Sequence, residues 1–321
     1  MNPIRLLIDA DPGLGDALAI AIALKDPRLD VVGLTAVGSF ISAKQAAVNL
    51  QELVTIIDPQ RWPRLGVQLT DAHESTASVP SQQLTHYRQL NGENGMADWP
   101  CRNVDAAHPK EAAKVIIELS RAYPQELVIL SLGPLTNISL AAEKDPELLM
   151  RLKGLVISGG TLEGPGNITP AADFNIYQDP LAARSILKSA CTKTLVPFDA
   201  SQKVGISFGL LDRLPIEHMG RFGEWLQTIV PFALRSHHQF QGMESWRLPE
   251  LVALAAVVKP EFFQHLTLAV DVETDAHLTR GMTVFDRRSP PVWRPNVEVL
   301  KDPEVQGILD DFMSVLRSTV V

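Results

Sequence analysis

The sequence predicts an α/β fold, an open and mainly parallel sheet with helices on both faces. Three observations lead there: short apolar runs rich in branched residues, helix-period segments alternating with them, and irregular polar stretches between the two. The strand-like runs are residues 4–10, 31–37, 127–132, 155–158 and 194–197. The first is nearly all apolar up to Asp9, as a strand covered on both faces requires. Helical periodicity marks residues 42–57, 110–122, 134–143, 180–187 and 222–240, and the apolar segments 17–24 and 251–258 read as buried helices. Residues 70–102 carry Pro80 and Asn91-Gly92-Glu93-Asn94-Gly95 and read as a long surface loop with local turns. Residues 159–177 also read as irregular. With no repeat, no low-complexity linker and no shift of composition, residues 1–321 are expected to form a single domain.

Composition narrows the function classes. A net charge of -8 without a run of Lys or Arg argues against nucleic acid, because phosphate contacts need clustered cations. The two cysteines, Cys101 and Cys191, are too few for a disulfide framework or a Cys-rich zinc site. The longest apolar stretches fall far short of the roughly 20 residues that span a bilayer, so no membrane partner is expected. The first strand begins within a few residues of Met1 and leaves no room for a signal peptide, so a cytoplasmic protein is expected.

Ligands in open α/β sheets bind beyond the carboxyl ends of the strands, and there the first strand runs into Asp9-Ala10-Asp11-Pro12-Gly13-Leu14-Gly15-Asp16. Period two places Asp9 and Asp11 on one side of the extended chain, while Asp16 opens the following helix as a potential cap. Three close anions repel one another unless a cation or a shared proton offsets them. With no His or Cys nearby, a hard, oxygen-seeking ion such as calcium or magnesium fits. A capping aspartate with two solvated loop acids is the plainer reading. A third is the Asp-x-Asp of haloacid-dehalogenase-type phosphatases, although Gly13 stands where those enzymes usually carry Thr or Val.

Four segments together resemble the inosine-uridine nucleoside hydrolase family. They are the Asp-rich segment 9–17, Leu132-Gly133-Pro134-Leu135-Thr136-Asn137-Ile138, the loop 166–177 (Gly-Asn-Ile-Thr-Pro-Ala-Ala-Asp-Phe-Asn-Ile-Tyr), and the late pair 272–274 and 278–283. The resemblance runs from about residue 4 to the C-terminus. It implies an enzyme that binds Ca²⁺ through Asp11, Asp16, the backbone carbonyl of Leu132 and the late acid Glu250. Asp11 would serve as general base with Asp9 supporting it, and an oxocarbenium-like state would be stabilised by the nearby carboxylates. Asn167, Asp173 and Asn175 fall where the family binds the sugar. Such proteins generally assemble as dimers or tetramers, so a homodimer or homotetramer is expected, with a small nucleoside-like substrate as partner.

The chain departs from the family pattern on the substrate side. Gly15-Asp16 stands where Asp-Asp is usual, and the missing acid normally grips a ribose hydroxyl, a charged hydrogen bond worth about 1.5–3 kcal/mol. Ser39-Phe40 replaces Gly-Asn; Phe40 narrows the pocket or stacks on a ring but supplies no amide. Asp173 replaces Glu. Pro249-Glu250 replaces His-Asp: Glu250 still ligates, whereas Pro249 has no proton to give a leaving group. His237 and His238 are candidate replacements for that acid, and Trp246 and Arg247 are candidate pocket residues. Two expectations follow: a hydrolase of an altered ribosyl compound, or a non-catalytic protein that keeps the metal and binds a nucleoside-like ligand.

Overall fold

The computed structural model describes residues 2–69, 81–101, 110–214, 216–275 and 277–318. The chain begins β1 (Ile4–Ala10), α1 (Leu14–Lys25), β2 (Leu29–Ala36), α2 (Ala43–Ile57), β3 (Arg64–Val67), α3 (Ser81–Asn91), β4 (Lys110–Glu111) and α4 (Ala112–Ala122). It continues β5 (Leu127–Ser131), α5 (Thr136–Lys144), β6 (Gly154–Ser158), α6 (Phe174–Gln178), α7 (Pro180–Lys188), β7 (Lys193–Val196), α8 (Phe198–Ser201) and β8 (Gly205–Ile206). It ends α9 (Gly220–Gln241), β9 (Trp246–Arg247), α10 (Pro249–Val258), β10 (Gln264–Leu268), β11 (Val270–Val272), β12 (Thr283–Phe285), β13 (Val297–Lys301) and α11 (Val305–Ser318).

Among the described residues nine strands form one sheet in the order β10-β13-β7-β6-β5-β1-β2-β3-β4, parallel throughout except for β10 on β13. This is the expected open, mainly parallel α/β sheet. Alternation along β1 supplies both cores: Leu6 and Ile8 join residues of α1, α2, α9, α10 and α11, while Leu7 joins residues of α4, α5 and α7. Residues 14–23 of α1 are all buried, as are residues 251–256 of α10. Helices apolar all round need neighbours all round, and α1 finds them in the sheet, α2, α10 and α11. Ala17, Ala19, Ala21 and Ala23 let those neighbours approach closely.

β1 and β5 lie side by side, and from this pair the strand order runs outward in opposite directions. The crevice of an open α/β sheet opens at such a point. Asp9 pairs with Ser131 in register, and the Leu132 amide donates to the Asp9 carbonyl at 2.8 Å, so the chain leaves both strands at one level.

Two expectations change. Residues 70–102 are not all loop, since Ser81–Asn91 is helical; Leu84, Tyr87 and Leu90, three apart, pack toward the core. Residues 70–80 and 102 lie outside the described residues. The segment 159–177 is irregular as expected only until α6, which Asp173 caps. Among the described residues no helix is long and apolar enough to cross a membrane. The enclosure of α1 predicts that Ala21→Leu destabilises the protein by about 1–3 kcal/mol through overpacking, read from urea denaturation. A change within about 0.5 kcal/mol, the size typical of a surface site, contradicts it.

Candidate active site

Asp11, Asp16 and Glu250 line this crevice, and Asp9 adjoins them. Asp9, at the end of β1, is fully buried; its Oδ1 accepts from the Thr35 hydroxyl at 2.6 Å and from Asn137 Nδ2 at 2.9 Å, while Oδ2 has no partner. Burial raises its pKa to about 7, although both hydrogen bonds pull it down. Asp11 is nearly buried, with Oδ2 accepting from the Ser39 hydroxyl. Burial, and then the charge of Asp16, hold its carboxyl well above the ordinary range.

Asp16 sits in the first turn of α1, where its Oδ2 accepts from the Gly13 amide at 3.0 Å. Its Oδ1 is buried without a partner, and burial and the neighbouring Glu250 push its pKa up. Glu250 enters from the first turn of α10, with Oε2 also buried and unpartnered. Burial raises it to about 7, the charge of Asp11 adding to the shift.

Gly133, just beyond β5, leaves room for this cluster: a Cβ there would lie 2.5 Å from Asp11 Oδ1. The Leu132 carbonyl accepts from Asn175 Nδ2 at 2.6 Å and keeps a second lone pair. Among the described residues no three His, Cys, Asp or Glu side chains already enclose a metal-sized space. The donor chemistry nevertheless suits a hard cation, since the available groups are oxygens and buried ones on Asp16 and Glu250 lack partners.

An inner cavity of about 110 Å³ is lined by Asp11, Asp16, Leu132, Glu250 and Asn175 together with Phe40, Tyr87 and Phe174. Tyr87 stands between the two phenylalanines, 6.0 Å from Phe40 and 4.4 Å from Phe174. An outer cavity of about 580 Å³ adjoins it across Gly15, Tyr87, Asn91 and Glu250, and adds His86, His237, Trp246 and Arg247.

The sugar-loop residues are partly engaged by the protein itself. Asn167 Oδ1 accepts from the Phe174 amide at 2.7 Å. Asn175 Nδ2 donates to the carbonyls of Leu132 and Ser158, leaving Oδ1 available. Asp173 lines the inner cavity, yet its carboxylate accepts from the amides of Gly160, Asn175 and Ile176, which makes it a pin for the loop. Asp199 pins the same loop through the amides of Leu162, Glu163 and Gly164.

His237 lines the outer cavity, whereas His238 is exposed beside Glu244 and does not, a correction to its candidacy. Thr35, Ser39, His86, Tyr87, Asn91 and Asn137 join the site without a role that the sequence pattern assigns. Asn91 caps α1 through its Oδ1 on the Leu14 amide at 2.9 Å; the turn-rich run after it was the available signal.

The model of the family described as inosine-uridine preferring nucleoside hydrolase matches residues 6–310. RihA, a pyrimidine-specific ribonucleoside hydrolase of Salmonella newport strain SL254, is 31% identical over 314 residues, covering 95% of this chain and 96% of that one. The structure is similar to a purine-preferring ribonucleoside hydrolase from Gardnerella vaginalis, with TM-score 0.88, 25% identity, and 97% and 98% of the two chains covered. A plant nucleoside hydrolase gives TM-score 0.85 at 26% identity, covering 98% and 99%. These matches set aside the haloacid-dehalogenase reading of Asp9-Ala10-Asp11.

Asn137 holds Asp9 and the Ala36 carbonyl together. Asn137→Ala is expected to destabilise the fold by about 1–3 kcal/mol, because it leaves buried acceptors short of a donor. Chemical denaturation showing no loss would contradict that role.

Proposed function

The chain belongs to the inosine-uridine preferring nucleoside hydrolase family, and from that premise we propose that it hydrolyses the N-glycosidic bond of a ribonucleoside or related ribosyl compound, using Asp11 as general base at a calcium site. The observation that carries the proposal is the set of buried, mutually repelling carboxylates with unpartnered oxygens where β1 and β5 end. Asp11, Asp16, Glu250 and the Leu132 carbonyl are the groups that would hold the cation. When bound, calcium supplies Lewis-acid polarisation of the attacking water and of sugar hydroxyls.

The protein's own groups do the remainder. Ser39 orients Asp11, and burial makes that carboxylate a better proton acceptor than an exposed aspartate. The buried negative cluster opposes the positive charge that develops on the sugar ring. Asn167 Nδ2 and Asn175 Oδ1 are offered to sugar hydroxyls. Phe40, Tyr87 and Phe174 keep bulk solvent from the inner cavity while leaving room for the one attacking water.

The leaving group occupies the outer cavity, where acid catalysis is weak. Pro249 brings no proton. His237 has Nδ1 on the Ala233 carbonyl at 2.8 Å and its pKa is lowered by burial, so near neutral pH it offers a lone pair at Nε2. The substrate class favoured is therefore a ribosyl compound whose leaving group departs without prior protonation. A homodimer or homotetramer in the cytoplasm belongs to the same reading; a monomer in light scattering would contradict the assembly.

The test is release of reducing sugar from purine and pyrimidine ribonucleosides and from a nitrophenyl riboside, with calcium and with chelator. Calcium-dependent release is expected, lost in Asp11→Asn, with the nitrophenyl riboside favoured by about 10²–10⁴-fold. No release from any of them, with calcium still raising the melting temperature, overturns catalysis and leaves the binding role. Gly133→Ala is expected to lower kcat about 10²-fold by displacing Asp11; an unchanged kcat would show that Asp11 needs no such clearance.

A further inference from the structure

Gly15 occupies the first turn of α1, next to Asp16, and its backbone does not require glycine: it is not among the residues with positive φ. Space is the reason for it. A Cβ at position 15 would lie 2.2 Å from Glu250 Oε2, 2.5 Å from its Cδ and 2.8 Å from Oε1, so the whole carboxyl group of Glu250 rests against the bare Cα of Gly15. Glu250 itself stands in the first turn of α10, directly after Pro249, and α10 packs on α1. The carboxylate thus lies where two helices begin, near the positive ends of both dipoles. Its Oε2 is shut off from solvent and meets no donor. Both residues line the inner and the outer cavity.

We propose that Gly15 and Glu250 form one functional unit: the missing side chain at 15 seats the Glu250 carboxylate, which gives one oxygen to the cation and the other to a sugar hydroxyl of the substrate. Glu250 thereby supplies the anionic contact that a side chain on α1 cannot make here. A side chain at 15 and a glutamate at 250 exclude each other. The group displaced by a Cβ is the free end of a flexible side chain, so a substitution at 15 moves the carboxylate without unfolding the helix. Its effect therefore falls on ligand affinity. This inference rests on the ribosyl-hydrolase reading for the sugar contact, while the seating of Glu250 stands on the geometry alone.

The test is a mutant cycle of Gly15→Ala, Glu250→Asp and the double variant on the full chain, each checked by far-UV circular dichroism and thermal melting. Calcium affinity is measured by calorimetry. Gly15→Ala is expected to weaken calcium binding on the order of tenfold in the wild-type background and to have no further effect beside Glu250→Asp, whose shorter side chain vacates the space. An equal effect of Gly15→Ala in both backgrounds, or none in either, overturns the unit.

The sugar contact is read separately from the nitrophenyl riboside. Glu250→Asp is expected to raise KM on the order of tenfold more than it lowers kcat, and Gly15→Asp added to it is expected to restore KM. No recovery in that variant, while it still binds calcium, overturns the sugar contact. Absence of sugar release from the wild type sinks the hydrolase reading, and the calcium cycle still decides whether Gly15 seats Glu250.

Discussion

The constraint on which the site depends is the crowding of carboxylates in a place that water barely reaches. Buried acids prefer to be neutral, and neighbouring acids strengthen that preference. Burial alone raises the pKa of Asp9, while burial and a neighbouring acid together raise those of Asp11, Asp16 and Glu250. Much of the local architecture answers this pressure. Thr35 and Asn137 donate to Asp9, Ser39 donates to Asp11, and the Gly13 amide donates to Asp16. Gly15 and Gly133 leave space for Glu250 and Asp11. The unpartnered oxygens of Asp16 and Glu250 are the ones from which the cation proposal starts.

The fold supplies the address. β1 and β5 end side by side where the strand order runs outward both ways, so the Asp-rich turn and Leu132 meet without any long excursion of chain. Asp9 stands at the end of β1, Asp11 just beyond it in the short turn to α1, and Asp16 and Glu250 in the first turns of α1 and α10. Other contacts come from a loop that is tied down by two aspartates: the buried Asp173 and the half-buried Asp199 spend their carboxylates on backbone amides of the segment after β6. Scaffold and site are thus held by the same residue type in opposite roles, one set satisfied and the other left open.

The five central strands were legible because a buried parallel strand is a dense apolar run: residues 4–10 coincide with β1, and the bounds of β2, β5, β6 and β7 moved by one or two positions, whereas β3, β4, β10 and β13 toward the sheet edges went unread. The Asp-rich turn and the late Glu250 were legible through a family resemblance carried by contiguous motifs. α3 was not, because only Leu84, Tyr87 and Leu90 carry its apolar stripe within a polar stretch beside a turn-rich one. Tyr87 therefore went unnoticed as a wall of the inner cavity. His237 and His238 could not be separated by sequence, yet neighbours on a helix point about 100° apart, and only His237 lines the cavity. Gly15 read as an acid lost; in three dimensions it is volume given to an acid from another helix, a relation that spacing along the chain does not carry.

Whether these crowded acids form a cation site is decided by calorimetric titration of calcium into metal-free protein near pH 6.5, in buffers of different ionisation enthalpy. Glu250, with its pKa raised to about 7, carries a proton for much of the time at that pH, and binding must expel it. One calcium is expected to bind per chain, with protons released on binding and an affinity that falls as pH drops below about 7. Absence of binding, or binding with no proton release and no pH dependence, would contradict such a site.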